Sequence, residues 1–396
     1  MIAQKMQKAL AGGSMIRKLF EEGNRRKKIY GEDNVFDFSI GNPDLEPPKE
    51  VSDALLELAS NPTPGMHGYM SNSGYESTRA AVAAKRSNES GLEISPSAVC
   101  MTVGAAAAMN DTLHSILDDG DEVILLAPFF MEYTGYIANH NGKAVIVDTD
   151  DSFMPVTDRI RDAITPRTKA IIINSPNNPS GVIYPAELLS EINDLLLKQD
   201  HVIHVISDEP YIDLVYDGQT VPSSLKYFKN LIVCFSWSKS LSLPGERIGY
   251  TLVSPSHEDY DELTQAIIIS NRTLGSVNAP AIWQKVIESS INAKVDVANY
   301  EKRRDLLYAN LIDAGFDAVK PGGALYIFMN TPKGMTDEEF ASCCAEENLL
   351  IVQGSSFCKS GYMRLAFCVS EKTIRNSRKA FFSVADKLGI SHRKPL

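Results

Sequence analysis

Three polar motifs of this chain carry residue types that can perform chemistry together. They are NPSG at 178–181, SDEPY at 207–211 and SWSKSLSLPGERIGY at 236–250. The third motif contains Lys239, which follows Ser236 by three residues and precedes Arg247 by eight. An amine, a carboxylate, a carboxamide and several hydroxyl groups are what a protein needs to hold an aldehyde cofactor covalently. The pattern predicts a site that binds pyridoxal phosphate through Lys239.

Each chemical need of that cofactor has a candidate residue. Lys239 would hold the aldehyde as a Schiff base and then act as base and acid, since desolvation lowers a lysine pKa. Asp208 would keep the pyridine nitrogen protonated, so that the ring accepts electrons when the substrate loses its α-hydrogen. Tyr211 and Asn178 would contact the ring 3-hydroxyl. Taken alone, Lys239 could be a structural lysine at a strand end, and the SDEP segment could cap a following helix.

Phosphate donors are predicted where a helix begins after Gly104, because unpaired backbone amides and the helix dipole favour an anion there. Ser236 and Ser238 would add hydroxyl groups, and Arg247 a fixed positive charge. Phe130 could stack on the cofactor ring, although an aromatic residue near a strand end fits the core equally well. These residues complete a predicted cofactor pocket.

A buried arginine is expected to bind the substrate. Arg364 lies in the apolar run YMRLAFCV and is costly to bury without an anion opposite it. We therefore assign Arg364 to the α-carboxylate of an amino acid, with Asn178 beside it. An internal ion pair is the alternative for Arg364.

Composition excludes several classes of protein. The formal charge is -11, with 39 basic and 50 acidic residues, and the basic run at 25–28 is short, which argues against a nucleic-acid partner. No run approaches the roughly 18 apolar residues that span a bilayer. The lysines of the first residues argue against a signal peptide. Six cysteines are too few for a disulfide framework at this length, so we expect a cytoplasmic protein without a metal site.

Seven short apolar runs between about residues 98 and 253 predict the fold. They are AVCMTV, EVILL, AVIVD, KAIIIN, VIHVIS, LIVCFS and IGYTLV, and segments of helical length separate most of them. This pattern is typical of an α/β domain with a mainly parallel seven-stranded sheet between helices. The polar motifs follow these strands, at the sheet edge where such folds bind ligands.

The chain exceeds one ordinary domain, so a smaller α+β domain is expected from its N- and C-terminal segments. The predicted boundaries give an N-terminal segment at 1–48, a large cofactor-binding domain at 49–285 and a small domain at 286–396. Residues 279–310 are helical in period and poor in helix breakers, and would link the two domains.

The motifs NSPNNPSG, SDEPY and SWSKSLSLPGERIGY resemble those of the class I and II aminotransferases. These are fold type I enzymes dependent on pyridoxal phosphate, and the resemblance is closest to their bacterial aspartate and aromatic branch. It extends from IGNP at 40–43, through Gly68-Tyr69 and Gly104, to Arg364. The resemblance implies an aminotransferase that moves an amino group between an amino acid and a 2-oxo acid by a ping-pong mechanism. Glutamate and 2-oxoglutarate would be a shared substrate pair.

The resemblance also implies roles for individual residues. It makes Lys239 the Schiff-base lysine, Asp208 the ring-nitrogen partner and Arg364, with Gly41, the carboxylate clamp. Tyr69 would reach the phosphate of a neighbouring subunit, which implies a homodimer with shared active sites. Asn178 and Tyr211 would contact the 3-hydroxyl, and Phe130 would stack on the ring. The implied phosphate ligands are Ser236, Arg247 and the amides of Ala105 and Ala106. The resemblance also implies cis peptide bonds before Pro128 and Pro179.

Two departures from the family pattern affect the predicted phosphate site. Residues 105–108 are all alanine where many relatives have glycine and a polar residue, so this loop offers amides without a side-chain donor. Glu246 stands where tryptophan is common, and we expect it to face solvent.

The motifs leave other functions open. A carbon-sulfur lyase of the same fold and a cofactor-binding regulator without turnover would carry a similar site. A nicotinamide-dependent dehydrogenase is disfavoured because the first strand lacks GxGxxG. The sequence does not assign Arg272 or Tyr326 to a substrate pocket.

Overall fold

The computed structural model describes residues 2–4, 6, 7, 10 and 15–394. Within them the chain divides into two compact units. The larger comprises Leu45–Ala298 with Gly322–Ala324, and the smaller comprises Met1–Asp44, Asn299–Pro321 and Leu325–Leu396. The domain boundaries at residues 48 and 285 stay a prediction.

Seven strands form the sheet of the larger unit, as the apolar runs predict. In chain order the strands of the protein are β1 (Phe36–Asp37), β2 (Val99–Thr102), β3 (Glu122–Ala127), β4 (Lys143–Asp148), β5 (Thr168–Asn174), β6 (His204–Asp208), β7 (Leu231–Ser236), β8 (Gly249–Val253), β9 (Ala318–Val319), β10 (Tyr326–Asn330), β11 (Leu349–Leu350), β12 (Val352–Gln353) and β13 (Tyr362–Ala366). The large sheet has the order β2-β8-β7-β6-β5-β3-β4. β8 runs antiparallel to both of its neighbours, and the other six strands of this sheet share one direction. The predicted α/β class with a mainly parallel sheet is confirmed.

Helices cover this sheet and complete the smaller unit. They are α1 (Met15–Tyr30), α2 (Lys49–Ser60), α3 (Glu76–Ser90), α4 (Ala105–Ile116), α5 (Glu132–Asn139), α6 (Thr157–Ala163), α7 (Ala186–Leu196), α8 (Ser224–Tyr227), α9 (Trp237–Ser240), α10 (Tyr260–Thr273), α11 (Ala281–Ser290), α12 (Val297–Asp313), α13 (Asp337–Glu346) and α14 (Glu371–Lys387). In the part of the chain that the structure describes, every helix is too short or too polar to cross a lipid bilayer.

The central strands are apolar because both of their faces are covered. Every residue of β6 and β7 is buried, which explains why these runs show no alternation of polar and apolar residues. β4, at one edge of the sheet, has only Val147 buried. The smaller unit has a four-stranded sheet of order β12-β13-β10-β9, and a parallel pair of β1 with β11. A smaller α+β unit was predicted from these segments.

The helical period of residues 279–310 corresponds to helices in the structure, although not to a single one. The structure divides it into α11 and α12, with a non-helical segment between Ser290 and Val297. Val295 in this segment is buried, and its backbone N–H donates to the carbonyl of Ser240 at 3.0 Å. A tertiary hydrogen bond thus replaces a helical one, and periodicity alone gives no sign of it.

Close approach of β7 and β8 at the ligand-binding edge depends on Gly249. A Cβ atom there would collide with the carbonyl oxygen of Phe235 and lie 2.9 Å from the backbone of Gly104. Both obstacles are main-chain atoms, so relief of the clash requires backbone displacement. Gly249 therefore brings the loop at Gly104 against the sheet.

We expect Gly249→Ala to destabilise the protein by roughly 1–3 kcal/mol, because the added methyl group overpacks this contact. The matched control is Gly245→Ala, since a Cβ at Gly245 meets no atom within 4 Å. Chemical unfolding of both variants checks the expectation. Equal unfolding midpoints for Gly249→Ala and the unmodified protein would contradict it.

Candidate active site

The carboxyl ends of three neighbouring parallel strands meet at one edge of the large sheet. Asn174 at the end of β5 pairs in register with Asp208 at the end of β6, and Asp208 pairs with Cys234 of β7. Asp208 is followed by a turn and not by a helix, so the SDEP segment does not cap a helix. This edge is where open parallel sheets bind ligands.

Asp208 is a buried carboxylate held by one tyrosine. The Tyr133 hydroxyl donates to Asp208 Oδ2 at 2.5 Å, and both side chains are buried. Burial raises the pKa of Tyr133 well above its ordinary value, so the phenol keeps its proton and is the donor. Phe129 and Phe130 pack on the Tyr133 ring with centroids 6.4 Å and 5.7 Å away, which fixes the orientation of the ring.

The second oxygen of Asp208 has the properties expected of a cation partner. Oδ1 is buried and accepts no hydrogen bond from the residues that the structure describes. Burial raises the pKa of this carboxyl to about 7, while the hydrogen bond from Tyr133 lowers it. A buried carboxylate without a partner is costly, and a nearby cation restores its charge. The protonated nitrogen of a pyridine ring carries both the positive charge and the N–H donor that Asp208 Oδ1 lacks.

Asn174 fixes the position of Asn178 relative to Asp208. Its Nδ2 donates to the carbonyl of Asp208 at 2.9 Å, and its Oδ1 accepts from the backbone N–H of Asn178 at 2.7 Å. Asn178 and Tyr211 are buried near the same strand ends. The peptide bonds before Pro128 and Pro179 are cis, as predicted, and so is the Ser175-Pro176 bond. One carboxamide thus ties the two predicted ring contacts, Asn178 and Asp208, to each other.

Lys239 lies in α9, a single helical turn that directly follows Ser236 at the end of β7. Its side chain is partly exposed, whereas its neighbours Trp237, Ser238 and Ser240 are buried. The Trp237 ring packs against Phe235 and Tyr250, with centroids 5.2 Å and 5.5 Å away. This packing anchors the turn that presents the lysine amine at the same sheet edge as Asp208.

The predicted phosphate site combines a helix start with an arginine. Gly104 has φ +87°, and α4 begins at Ala105, so the first amides of the helix, including those of Ala105 and Ala106, have no intrahelical partner. Arg247 donates from Nη1 to Pro244 O at 3.0 Å and from Nη2 to Val103 O at 3.2 Å. A Cβ at Gly104 would lie 2.8 Å from Arg247 Nη2. The backbone amides at the start of α4 and the Arg247 guanidinium are therefore adjacent, and this arrangement suits a phosphate.

The other predicted residues of this unit differ in exposure. Ser236 and Ser238 are buried, and Phe130 is partly exposed. Tyr69 has 98% of its surface exposed, which is rare for a tyrosine. Glu246 is partly exposed and Arg272 is exposed on the last turn of α10.

In the smaller unit, Arg364 is oriented by two aromatic rings. Its guanidinium lies 4.4 Å from the centroid of Tyr326 and 4.6 Å from that of Phe357, and Nη2 donates to Ser39 O at 2.7 Å. Arg364 is only 2% exposed. A side chain at Gly41 would collide with the Tyr326 hydroxyl. The smaller unit thus holds a buried guanidinium in one orientation, as carboxylate binding requires.

Sequence reasoning missed two of the residues that organise these groups. Tyr133 lies six residues beyond the end of β3, and no spacing rule links it to Asp208. Phe357 precedes Arg364 by seven residues, across a turn and a strand boundary. The only available signal was the density of aromatic residues in PFFMEY, at 128–133.

Comparison with known proteins identifies similar chains over nearly the whole length. Residues 33–381 match the family described as "Aminotransferase class I and II". The chain is 32% identical to the probable aspartate/prephenate aminotransferase of Thermus aquaticus, over 90% of this chain and 92% of that protein. It is 33% identical to the aspartate/prephenate aminotransferase of Thermus thermophilus, over 87% and 90% of the two chains.

Solved structures show the same similarity. An amino transferase of Eubacterium rectale superposes with a TM-score of 0.94 at 39% identity, covering 98% of this chain and 99% of that chain. The aspartate aminotransferase of Thermus thermophilus with maleate gives a TM-score of 0.86 at 28% identity, covering 97% and 99%.

We expect Tyr133→Phe to raise the pKa of Asp208 further, by roughly one pH unit, because a hydrogen bond to the charged carboxylate is lost. Infrared spectroscopy of the carboxyl band in the cofactor-free protein measures this pKa, with Asp208→Asn identifying the band. Tyr136→Phe is the matched control, since among the described residues Tyr136 makes no hydrogen bond to Asp208. An unchanged pKa in Tyr133→Phe would show that the hydroxyl does not stabilise the carboxylate.

Proposed function

Because the chain belongs to the class I and II aminotransferases, we propose that it binds pyridoxal phosphate in the larger unit and transfers amino groups through Lys239. The observation that carries the proposal is Asp208 Oδ1, a buried carboxylate oxygen that accepts no hydrogen bond within the described residues. When bound, this cofactor supplies the electron sink for amino-group transfer. The relatives compared above are all named aminotransferases, so a carbon-sulfur lyase is not favoured.

The residues of the larger unit would divide the work of holding the cofactor. Asp208 would accept a hydrogen bond from the protonated ring nitrogen and keep it charged, because an opposite charge nearby restores the ionised carboxylate. Asn178 and Tyr211 would orient the ring at its 3-hydroxyl, and Phe130 would cover one face. Ser236, Ser238, Arg247 and the amides of Ala105 and Ala106 would bind the phosphate.

Lys239 has two roles in this proposal. Its Nζ would hold the cofactor through the aldehyde in the resting enzyme, and it would serve as a free amine once the substrate amine takes its place. As a free amine, Nζ would remove the α-proton of the substrate and return a proton later in the cycle, as general base and then as general acid. A second 2-oxo acid completes the ping-pong cycle by the reverse sequence.

Arg364 would bind the α-carboxylate that all amino-acid and 2-oxo acid substrates share. The rings of Tyr326 and Phe357 hold its guanidinium plane, so a bidentate contact loses little side-chain entropy on binding. Gly41 would leave room for the Tyr326 hydroxyl beside the clamp. Glutamate with 2-oxoglutarate remains the proposed shared pair, and aspartate is a further donor to test because the Thermus relatives are named for it.

We further propose that the enzyme is a cytoplasmic homodimer with shared active sites. Tyr69 supports this arrangement because 98% of its surface is exposed, so its aromatic ring gains almost no burial from the described residues of its own subunit. Its hydroxyl would reach the phosphate bound by the partner subunit.

Lys239→Ala is expected to lower activity by roughly a thousandfold or more, because the general base is lost. Borohydride reduction followed by peptide mass analysis should label Lys239 in the unmodified enzyme and leave the variant without a label. Lys372→Ala, which removes an exposed ion pair with Asp33, is the control and should keep both label and activity. A label on any other lysine rejects the assignment.

Shared active sites predict complementation between two weakened variants. Lys239→Ala and Tyr69→Ala subunits are unfolded and refolded together, so that hybrid dimers form. One site of each hybrid then has both native residues, and activity should exceed the mean of the two separate preparations. Activity equal to that mean would show that Tyr69 serves its own subunit, or that no dimer site is shared.

A further inference from the structure

A cavity of about 680 Å³ lies in the larger unit, behind the strand that carries Asp208. Ser207 and Glu209, the neighbours of Asp208 in sequence, line this cavity. Successive side chains of a strand point to opposite faces, so Ser207 faces away from the side on which Asp208 meets Tyr133. The cavity is therefore separate from the candidate active site within this unit.

The acidic groups of the cavity wall are already paired. Glu209 accepts from Arg86 Nη2 at 2.6 Å, from Ser207 Oγ at 2.9 Å and from Ser224 Oγ. Asp213 pairs with Lys294 at 2.8 Å, and Glu89 contacts Arg86 at 3.2 Å. These carboxylates need no cation from a ligand.

Two cationic groups of the wall still have capacity to bind an anion. Arg86 is 4% exposed, and its Nε–H is buried without a hydrogen-bond acceptor among the described residues. Lys226, an exposed residue, also lines the cavity, and no ion pair with it is found among the residues that the structure describes. A buried guanidinium N–H without an acceptor is unfavourable, and a carboxylate is its strongest complement.

The rest of the wall would accommodate an apolar group. Ile173, Leu189, Ile212, Val215 and Phe228 line the cavity together with the carboxamide of Gln219. The volume lies within the range of about 300–1,000 Å³ that is typical of small-molecule sites. Shape and chemistry together favour a ligand with one anionic end and an apolar body.

We propose that this cavity binds a small organic carboxylate with an apolar body, its carboxylate between Arg86 and Lys226 and its apolar part against Ile212, Val215 and Phe228. Apolar 2-oxo acids belong to this chemical class. The inference does not rest on the assignment of Lys239 or Arg364, because every residue used here lies outside the proposed active site.

Binding of 3-(4-fluorophenyl)propanoate to the holoenzyme tests the proposal, because this probe has neither an amine nor a keto group and cannot enter the reaction. The Arg364→Leu background weakens its binding at the proposed active site. Fluorine NMR should then show one bound probe per subunit. No binding in this background overturns the proposal.

Three further changes in the same background locate the probe. Lys226→Met should weaken binding about threefold to tenfold through loss of one charged contact. Thr220→Trp, at the exposed rim, should also weaken binding, because the larger side chain occupies part of the cavity. Lys229→Met, an exposed lysine outside the cavity, should leave it unchanged. Equal binding in all three variants rejects the assignment.

A crystal of the unmodified holoenzyme soaked with the bromo analogue gives an independent answer if the Arg364→Leu variant does not fold. Anomalous density beside Arg86 and Val215 supports the proposal. Density only elsewhere, or none, overturns it. Loss of transamination in the Arg364→Leu background is what the proposed function predicts, and it does not bear on the cavity.

Discussion

Burial of the Asp208 carboxylate is the constraint on which the candidate active site depends. One oxygen is held by the Tyr133 hydroxyl, and the other is enclosed without a hydrogen bond from the described residues. Burial raises the pKa of this carboxyl to about 7 despite the hydrogen bond from Tyr133, so its charge at neutral pH depends on what binds next to it. A protonated ring nitrogen would complete the pair and keep both groups ionised. The electron-accepting chemistry of the proposed cofactor would depend on that ion pair.

The large sheet fixes the positions of the groups around this ion pair. Asn174, Asp208 and Cys234 share one register line across three parallel strands, and Asn174 bonds both the Asp208 carbonyl and the Asn178 amide. Gly249 permits the approach that places Gly104 and Arg247 beside the start of α4. A large, buried sheet displaces little, so groups fixed at strand ends keep their geometry through a reaction cycle.

The sequence allowed prediction of the large sheet, because each apolar run forms a strand and the central strands are buried on both faces. All seven runs, the helix after Gly104 and the cis bonds before Pro128 and Pro179 appear in the structure. The break between α11 and α12 was not predictable, since it depends on a hydrogen bond from Val295 to a residue far away in sequence. Tyr133 was missed for the same reason: its contact with Asp208 exists only after β3 and β6 join one sheet. Residues that would touch a ligand lie in recognisable sequence motifs, whereas residues that only position those side chains rarely do.

The nitrogen chemical shift of the bound cofactor ring tests the central claim most directly. The holoenzyme is reconstituted with pyridoxal phosphate labelled with nitrogen-15 in the ring and titrated across neutral pH. The account predicts the shift of a protonated ring nitrogen throughout in the unmodified enzyme, and that of a neutral ring in Asp208→Asn. A neutral ring in the unmodified enzyme, or the same shift in both proteins, would contradict it.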